Sequence, residues 1–154
     1  MKWLLDFLER RGRKRIIMDR ENREPYLERY YLLFNTRRHF PFNLFLHHFC
    51  KSDPDDVHDH PWPYATLILR GGYWEWRPQF NAEGQKVGEV ARWCGPGSFR
   101  FAGAETFHRI ELDPDVECWT LFMPGAKQRD WGFLVKNQWV QWQDYLTQRR
   151  NQST

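Results

Sequence analysis

The sequence contains little cysteine and no long apolar segment. Its three cysteines, Cys50, Cys94 and Cys118, have no CxxC spacing, so neither a disulfide framework nor a cysteine-rich zinc site is predicted. An odd number of cysteines favours a reducing compartment, and we expect a cytoplasmic protein. No segment approaches the roughly 20 consecutive apolar residues of a membrane-spanning helix, so we expect no membrane partner.

Several common catalytic motifs are also absent. The chain has no GxSxG, Walker A, GxGxxG or HExxH sequence, so serine hydrolases, P-loop proteins, dinucleotide-binding proteins and zincins have no support. The formal net charge is only +3, and the basic residues cluster near the termini, in residues 10–15 and at Arg149 and Arg150. Nucleic acid is not an expected partner, because a nucleic-acid-binding domain usually carries a denser basic stripe.

The sequence is rich, by contrast, in aromatic residues. Trp, Tyr and Phe make up 18% of the chain, and aromatic side chains favour strands and fill β-barrels. Turns rich in Gly, Pro, Asn and Asp separate short apolar stretches roughly every 8–12 residues, a spacing typical of a β-sandwich or β-barrel. We therefore predict an all-β fold.

The chain is expected to form one domain with an extension at each end. Apolar residues recur at helical spacing within residues 2–11, which predicts a short amphipathic helix, and the charged residues 11–23 are expected to form a loop. The aromatic-rich residues 131–145 are expected to form a strand and a short closing helix. The predicted division is an N-terminal helix and basic linker, a barrel and a polar tail, at residues 1–24, 25–146 and 147–154.

Two histidines, His58 and His60, are separated by a single residue. In an extended strand, residues i and i+2 point to the same face, about 6–7 Å apart at Cα, so both imidazoles can bind one metal ion. A third ligand has to come from elsewhere in the chain. His108 is the best candidate, because it lies on a predicted strand after a Pro-Gly turn. The spacing therefore predicts a metal site formed by His58, His60 and His108.

These residues resemble the two motifs of the cupin superfamily. The first cupin motif has an HxH pair and a glycine at the next hairpin, and the second has a Pro-Gly turn followed by a histidine. The matching residues are His58, His60, Gly71, Gly72, Gly95-Pro96-Gly97 and His108. The stretches HDHPW, GGYWEW and TLFMPG also resemble small single-domain cupin-like proteins of bacteria and phages. The resemblance implies a double-stranded jelly-roll β-barrel that binds one divalent transition metal.

One residue of the cupin pattern is missing. Cupins often carry a glutamate shortly after the HxH pair, where this chain has Tyr64 and Ala65. The site is then either an open three-histidine set, similar to that of thiol dioxygenases, or a set completed by a carboxylate from another strand. Glu75 is the leading candidate for a fourth ligand, because a two-residue hairpin at Arg70-Gly71 would place it opposite Thr66 on the inward face.

Four residues are candidates for catalysis or substrate binding. His47 and His48 point to opposite faces of the predicted strand 42–50, and by the resemblance we favour His47 as a substrate-binding or acid–base group. Tyr64 and Tyr73 are expected to line the barrel and to orient a small polar substrate. Glu75 is the fourth candidate, if it points inward.

The resemblance leaves three functions open, each with a small-molecule ligand in the barrel. The first is an Fe(II)-dependent dioxygenase-like enzyme, because an iron oxygenase needs open coordination positions for substrate and O2; Zn, Ni and Mn are alternative metals. The second is a sugar-isomerase-like cupin with a histidine or glutamate base. The third is a non-catalytic module that the metal stabilises. A homodimer is an alternative to a monomer in each case.

Overall fold

The computed structural model describes residues 2–19, 24–35, 41–53 and 56–152. These residues form two helices, α1 (Lys2–Arg10) and α2 (Trp142–Gln152). They also form eleven strands, which are β1 (Lys14–Met18), β2 (Pro25–Tyr31), β3 (Phe45–Phe49), β4 (Tyr64–Arg70), β5 (Tyr73–Phe80), β6 (Lys86–Cys94), β7 (Phe99–Ala102), β8 (Arg109–Glu111), β9 (Cys118–Pro124), β10 (Gly132–Val135) and β11 (Gln138–Gln141).

The strands form antiparallel sheets around a common cavity. The largest sheet has the order β1-β2-β3-β9-β4-β7, and a second sheet has the order β6-β5-β8. His58 joins this second sheet to the β10-β11 hairpin, because it forms antiparallel bridges with both His108 and Phe133. Residues from both sides line the same cavity. The predicted all-β jelly-roll barrel is therefore confirmed.

The period-two alternation of the strands separates the barrel interior from an outer layer. One end of the interior is apolar and is closed by the buried residues Leu27, Phe49, Ile68, Tyr73, Cys94, Ile110 and Cys118. The opposite face of the largest sheet is covered by α1, whose buried Leu8 packs against Tyr30, Leu46 and Trp119. The predicted N-terminal helix is thus confirmed, and it packs on the outer face of the sheet.

The expected loop over residues 11–23 is wrong for Lys14–Met18. This segment is strand β1, which pairs with β2 at the edge of the largest sheet, and its Ile17 packs against the apolar core. Charged residues are common on edge strands because they discourage pairing with other chains, so the composition of this strand resembles that of a loop. Residues 20–23 lie outside the described residues.

The predicted hairpin at Arg70-Gly71 is also wrong. Strand β4 pairs with β7 and β9, whereas β5 pairs with β6 and β8, so the chain crosses from one sheet to the other here and Thr66 does not face Glu75. Gly71 has a φ of 72°, and a Cβ at this position would overlap the carbonyl oxygen of Glu117. The glycine pair therefore allows a crossing between the two sheets.

The aromatic C-terminal segment closes one side of the barrel. The predicted strand and helix are present as β10, β11 and α2, and the ring of Tyr145 stacks on Phe133 with centroids 3.9 Å apart. Helix α2 continues to Gln152, so most of the expected polar tail is helical. Neither described helix has the length and apolar character needed to cross a membrane.

Candidate metal centre

Backbone hydrogen bonds hold the three predicted metal ligands beside one another. His58 and His108 each donate a backbone N–H to the other's carbonyl oxygen, both at 2.9 Å. The next two residues, Asp59 and His60, donate to the carbonyl oxygens of Gly132 and Ala104. The segment that carries His58 and His60 is therefore extended, as predicted, and is fixed on both edges.

The three imidazole rings form a nearly equilateral triangle. Their centroids are 5.3 Å apart for His58 and His60, 5.2 Å for His58 and His108, and 5.0 Å for His60 and His108. One ring nitrogen of each lies within 4.8 Å of the other two. The Nε2 atoms of His60 and His108 are 2.8 Å apart, and two nitrogens bound at right angles to one ion at about 2.1 Å lie about 3 Å apart. The donor set therefore fits a divalent transition metal.

The protonation state of His60 also suits a metal ligand. Burial lowers the pKa of His60 well below its usual value, and the neighbouring His108 and His58 lower it further. A neutral imidazole is the form that binds metals. The ring of His60 is thus a ready nitrogen donor at neutral pH.

Glu75 lies beside the other ring nitrogen of His108. It is 3% exposed, and its Oε1 is 3.4 Å from Nδ1 of His108. Its carboxylate also pairs with Arg77 and Arg100. Burial works to raise the pKa of Glu75, but the hydrogen bonds and charges of His108 and Arg77 outweigh it and lower the pKa to about 2. Glu75 is therefore an ionised inward-facing group, on the Nδ1 side of His108.

The two candidate tyrosines have different surroundings. The hydroxyl of Tyr64 is 3.2 Å from Nε2 of His108, and its ring centroid is 4.7 Å from that of His60. Burial raises the pKa of Tyr64 above its usual value, and the charge of Glu75 adds to this, so the hydroxyl keeps its proton. Tyr73 instead packs edge-on against Phe49 in the apolar end of the barrel, with centroids 6.0 Å apart. Only Tyr64 reaches the metal centre.

His47 lies on the inner wall, and its neighbour His48 lies on the outer face. His47 is 3% exposed and lines the cavity, whereas His48 stacks on Trp119 with centroids 4.2 Å apart. Arg29 of β2, which the sequence analysis did not single out, donates its Nε–H to Nε2 of His47 at 3.0 Å. Burial lowers the pKa of His47 well below its usual value, and Arg29 contributes to the same effect.

Asp59 anchors the metal-binding segment to the C-terminal hairpin. It is fully buried, and it accepts hydrogen bonds from the backbone N–H of Gly132 at 2.7 Å and from the indole N–H of Trp139 at 3.0 Å. Arg129 lies 3.3 Å from its Oδ2. Asp59 is between His58 and His60 and points away from them. Its contacts therefore fix the backbone position of both histidines.

The three histidines open onto a cavity of about 340 Å³. This volume is at the lower end of the range for small-molecule sites, which is about 300–1,000 Å³. The walls combine the metal-centre residues with aromatic and aliphatic side chains, among them Phe49, Ile110, Phe122, Trp131 and Phe133. Polar groups other than the three histidines come from Asp19, Tyr26, Arg29, His47, Asp53, Tyr64, Thr66, Tyr73 and Thr120. The two carboxylates among them already have partners, since Asp19 pairs with Lys51 and Asp53 accepts a hydrogen bond from the hydroxyl of Tyr26. The cavity is therefore suited to a small molecule with both apolar and polar parts.

Comparisons with known proteins agree with this architecture. No protein-family model and no curated protein sequence matches the chain. The polyketide cyclase RemF from Streptomyces resistomycificus is 16% identical, with a TM-score of 0.59 over 90% of this chain and 89% of that chain. The cupin-2 domain protein Rru_A2000 from Rhodospirillum rubrum is 14% identical, with a TM-score of 0.54 over 89% of this chain and 82% of that chain.

A third similar structure is that of Fe(II)-HppE with an alternative substrate. It is 13% identical, with a TM-score of 0.53, and the match covers 73% of this chain and 56% of that chain. The chain therefore spans little more than half the length of this protein. The neighbours share a fold with the chain, and that fold is the cupin barrel. The cupin-like jelly-roll fold, which the resemblance of the histidine and glycine motifs implied, is therefore confirmed.

Proposed function

We propose that the chain is a metal-dependent enzyme of the cupin fold, in which His58, His60 and His108 hold one divalent metal and a small polar molecule reacts in the cavity. The observation that carries this proposal is the shape of the site. Three histidines converge on one point, and that point faces a cavity of about 340 Å³ instead of packed protein. A purely structural metal site is usually closed by four protein ligands.

Fe(II) is the favoured metal. Bound by three protein ligands, it would supply open coordination positions and one-electron chemistry with O2. Fe(II)-HppE, whose fold resembles that of this chain, is described as an iron protein, which supports the choice of iron without fixing the reaction. Zn, Ni and Mn remain alternatives, because neutral imidazoles bind all of them.

The residues around the histidines have separate tasks in this proposal. Glu75 orients His108 through its Nδ1 and leaves its Nε2 for the metal, a common arrangement of metal-bound histidines. Tyr64 places a hydroxyl beside the ligand nitrogens, where it can donate a hydrogen bond to a bound molecule. His47, on the opposite sheet, contacts the part of the substrate that lies away from the metal. The aromatic walls exclude water from the reacting molecule.

The proposed location is the cytoplasm. All three cysteines are free thiols, and Cys50 is exposed. Free thiols persist in reducing compartments, where Fe(II) is also more easily maintained.

Elemental analysis of the purified protein, expressed with iron and zinc available, tests the proposal. We expect about one metal ion per chain, and its loss in His58→Ala, His60→Ala and His108→Ala. His48→Ala is the matched control, because His48 lies on the outer face of the barrel. O2 uptake is then measured on the iron-loaded protein with a panel of small polar molecules.

The outcomes separate the competing functions. Iron with O2 consumption supports the oxygenase. Turnover without O2 indicates the isomerase-like alternative, and metal that raises the melting temperature without any turnover indicates a non-catalytic module. A wild-type protein that carries no stoichiometric metal contradicts the proposal.

A further inference from the structure

Arg29 is a cationic residue on the inner wall of the barrel. It lies on β2, directly opposite His47 of β3, and it lines the same cavity as the three metal-centre histidines. Its Nε–H donates to Nε2 of His47 at 3.0 Å, and its guanidinium lies over the ring of Phe45, 4.8 Å from the centroid. These two contacts hold the guanidinium against the wall. The hydroxyl of Tyr31 is a further hydrogen-bond partner of the guanidinium, which with five N–H donors has others to offer to a ligand.

No carboxylate of the described residues neutralises Arg29. Burial lowers the pKa of Arg29, the like charge of Arg15 lowers it further, and the hydroxyls of Tyr31 and Tyr26 oppose this effect. The contrast with Arg77 and Arg100 is clear, because both of these arginines pair with Glu75. A guanidinium that is withdrawn from water without a counter-ion is costly, so its position on the cavity wall favours an anionic ligand.

Two neutral polar groups beside Arg29 also lack partners. Arginine cannot accept a hydrogen bond, so Nε2 of His47 is the acceptor and the ring proton is on Nδ1. This buried Nδ1 has no hydrogen-bond partner among the described residues. The same holds for the hydroxyl of Thr120, which is 1% exposed and lies opposite His47 across the β3-β9 pair. The wall formed by β2, β3 and β9 therefore presents one cation and two hydrogen-bonding groups in a row.

From this cluster we infer that the cavity takes a small organic oxyanion, a molecule whose carboxylate or similar anionic group is bound by Arg29 with support from His47 and Thr120. The inference rests on the proposed function, since it names the substrate class of the same cavity. The anionic end lies on the wall of the largest sheet, and the rest of the molecule extends toward the three histidines. Binding by the guanidinium fixes which end of the substrate reaches the metal.

Paired probes that differ only in charge test this inference. We use 3-phenylpropionate and its neutral amide, 3-phenylpropanamide, and measure their dissociation constants calorimetrically. The wild-type protein is expected to bind the acid about tenfold to a hundredfold more tightly than the amide, the gain typical of a charge-assisted hydrogen bond. Arg29→Gln should remove this preference, and Arg29→Lys should keep part of it. Arg70→Gln, which removes an exposed arginine, should leave it unchanged.

The same titration in His60→Ala separates this inference from the metal proposal. A carboxylate held by Arg29 keeps its preference over the amide when the metal site is broken, whereas a carboxylate held by the metal loses it. The inference is overturned if Arg29→Gln retains the preference, if the wild type shows none, or if neither probe binds at millimolar concentrations.

Thermal unfolding of the metal-free protein gives a second measurement. A structural arginine would destabilise the fold when removed. An arginine retained for binding should lower the melting temperature of Arg29→Met by no more than the loss of its hydrogen bond to His47, because the substitution also removes a partly buried charge that has no carboxylate partner. A large drop in melting temperature contradicts the inference.

Discussion

The Nδ1 atom of His108 lies 3.4 Å from Oε1 of Glu75, while Nε2 of the same ring lies 2.8 Å from Nε2 of His60. Each ring nitrogen thus has a separate neighbour, and the carboxylate favours the tautomer that leaves Nε2 free for a metal. Glu75→Gln should weaken metal binding about tenfold to a hundredfold, the usual cost of losing such a partner. Competition titrations against a chelator, monitored by absorption of Co(II), measure the change.

Glu89→Gln is the control for this experiment. Glu89 is on the neighbouring strand β6 and pairs with Lys86 and Arg109, so the variant loses a paired carboxylate without touching the metal centre. Its metal affinity should equal that of the wild type. X-ray absorption of both proteins also distinguishes the two roles of Glu75: three nitrogen ligands are expected if it orients His108, and an added protein oxygen that disappears in Glu75→Gln would identify it as a fourth ligand.

The pKa of Glu75 predicts how the metal-free protein responds to acid. Its pKa is lowered from 4.5 to about 2, so the folded state binds its proton less readily than the unfolded state. The resulting stabilisation is fully present above about pH 4.5 and is lost as the pH falls toward about 2; its size is roughly 2–3 kcal/mol. Urea unfolding with chelator present should therefore show that wild type and Glu75→Gln differ most above pH 4.5 and converge in acid. A constant difference would contradict the prediction.

The candidate metal ligands His58 and His60, and the fold, could be predicted because they depend on local patterns. The alternation of an extended strand brings His58 and His60 to one face without any knowledge of the sheet order. Glycine and proline turns between short apolar stretches indicated a barrel. Both patterns are short-range, so one sequence was enough to recognise them, whereas His108 lies far along the chain and was assigned from the order of the turn and histidine motifs.

The pairing of the strands could not be predicted in the same way. The glycine pair at Gly71 is typical of a hairpin, and only the pairing of β4 with β7 and β9, and of β5 with β6 and β8, shows that the chain changes sheets there. Glu75 is nevertheless buried, although the hairpin from which its inward position was predicted does not form, so this agreement does not validate the argument that led to it. Arg29 was missed because its role depends on which face of β2 is inside, and that is fixed by its pairing with β3.

Asp59 is predicted to stabilise both the fold and the metal centre. Asp59→Ala leaves the buried N–H of Gly132 and the indole N–H of the partly exposed Trp139 without their acceptor, and should destabilise the protein by about 2–4 kcal/mol. Metal affinity should fall as well, since the substitution loosens the segment between His58 and His60. Asp130→Ala is the control, because Asp130 is exposed and its loss should change the stability little. Chemical unfolding and chelator competition measure both effects.

Two glycines with left-handed backbone conformations should differ sharply in their tolerance of alanine. Gly71 and Gly97 have φ values of 72° and 82°, so alanine is strained at both, but a Cβ meets nothing within 4 Å at Gly97 and overlaps the carbonyl oxygen of Glu117 at Gly71. Gly97→Ala should therefore cost only about 1–2 kcal/mol of conformational strain. In Gly71→Ala the new Cβ must also displace the backbone of Glu117, where the chain passes from one sheet to the other. We expect this variant to accumulate as insoluble protein, or to have a melting temperature far below that of Gly97→Ala. Equal melting temperatures for the two variants would show that the crossing at Gly71 has room to adjust.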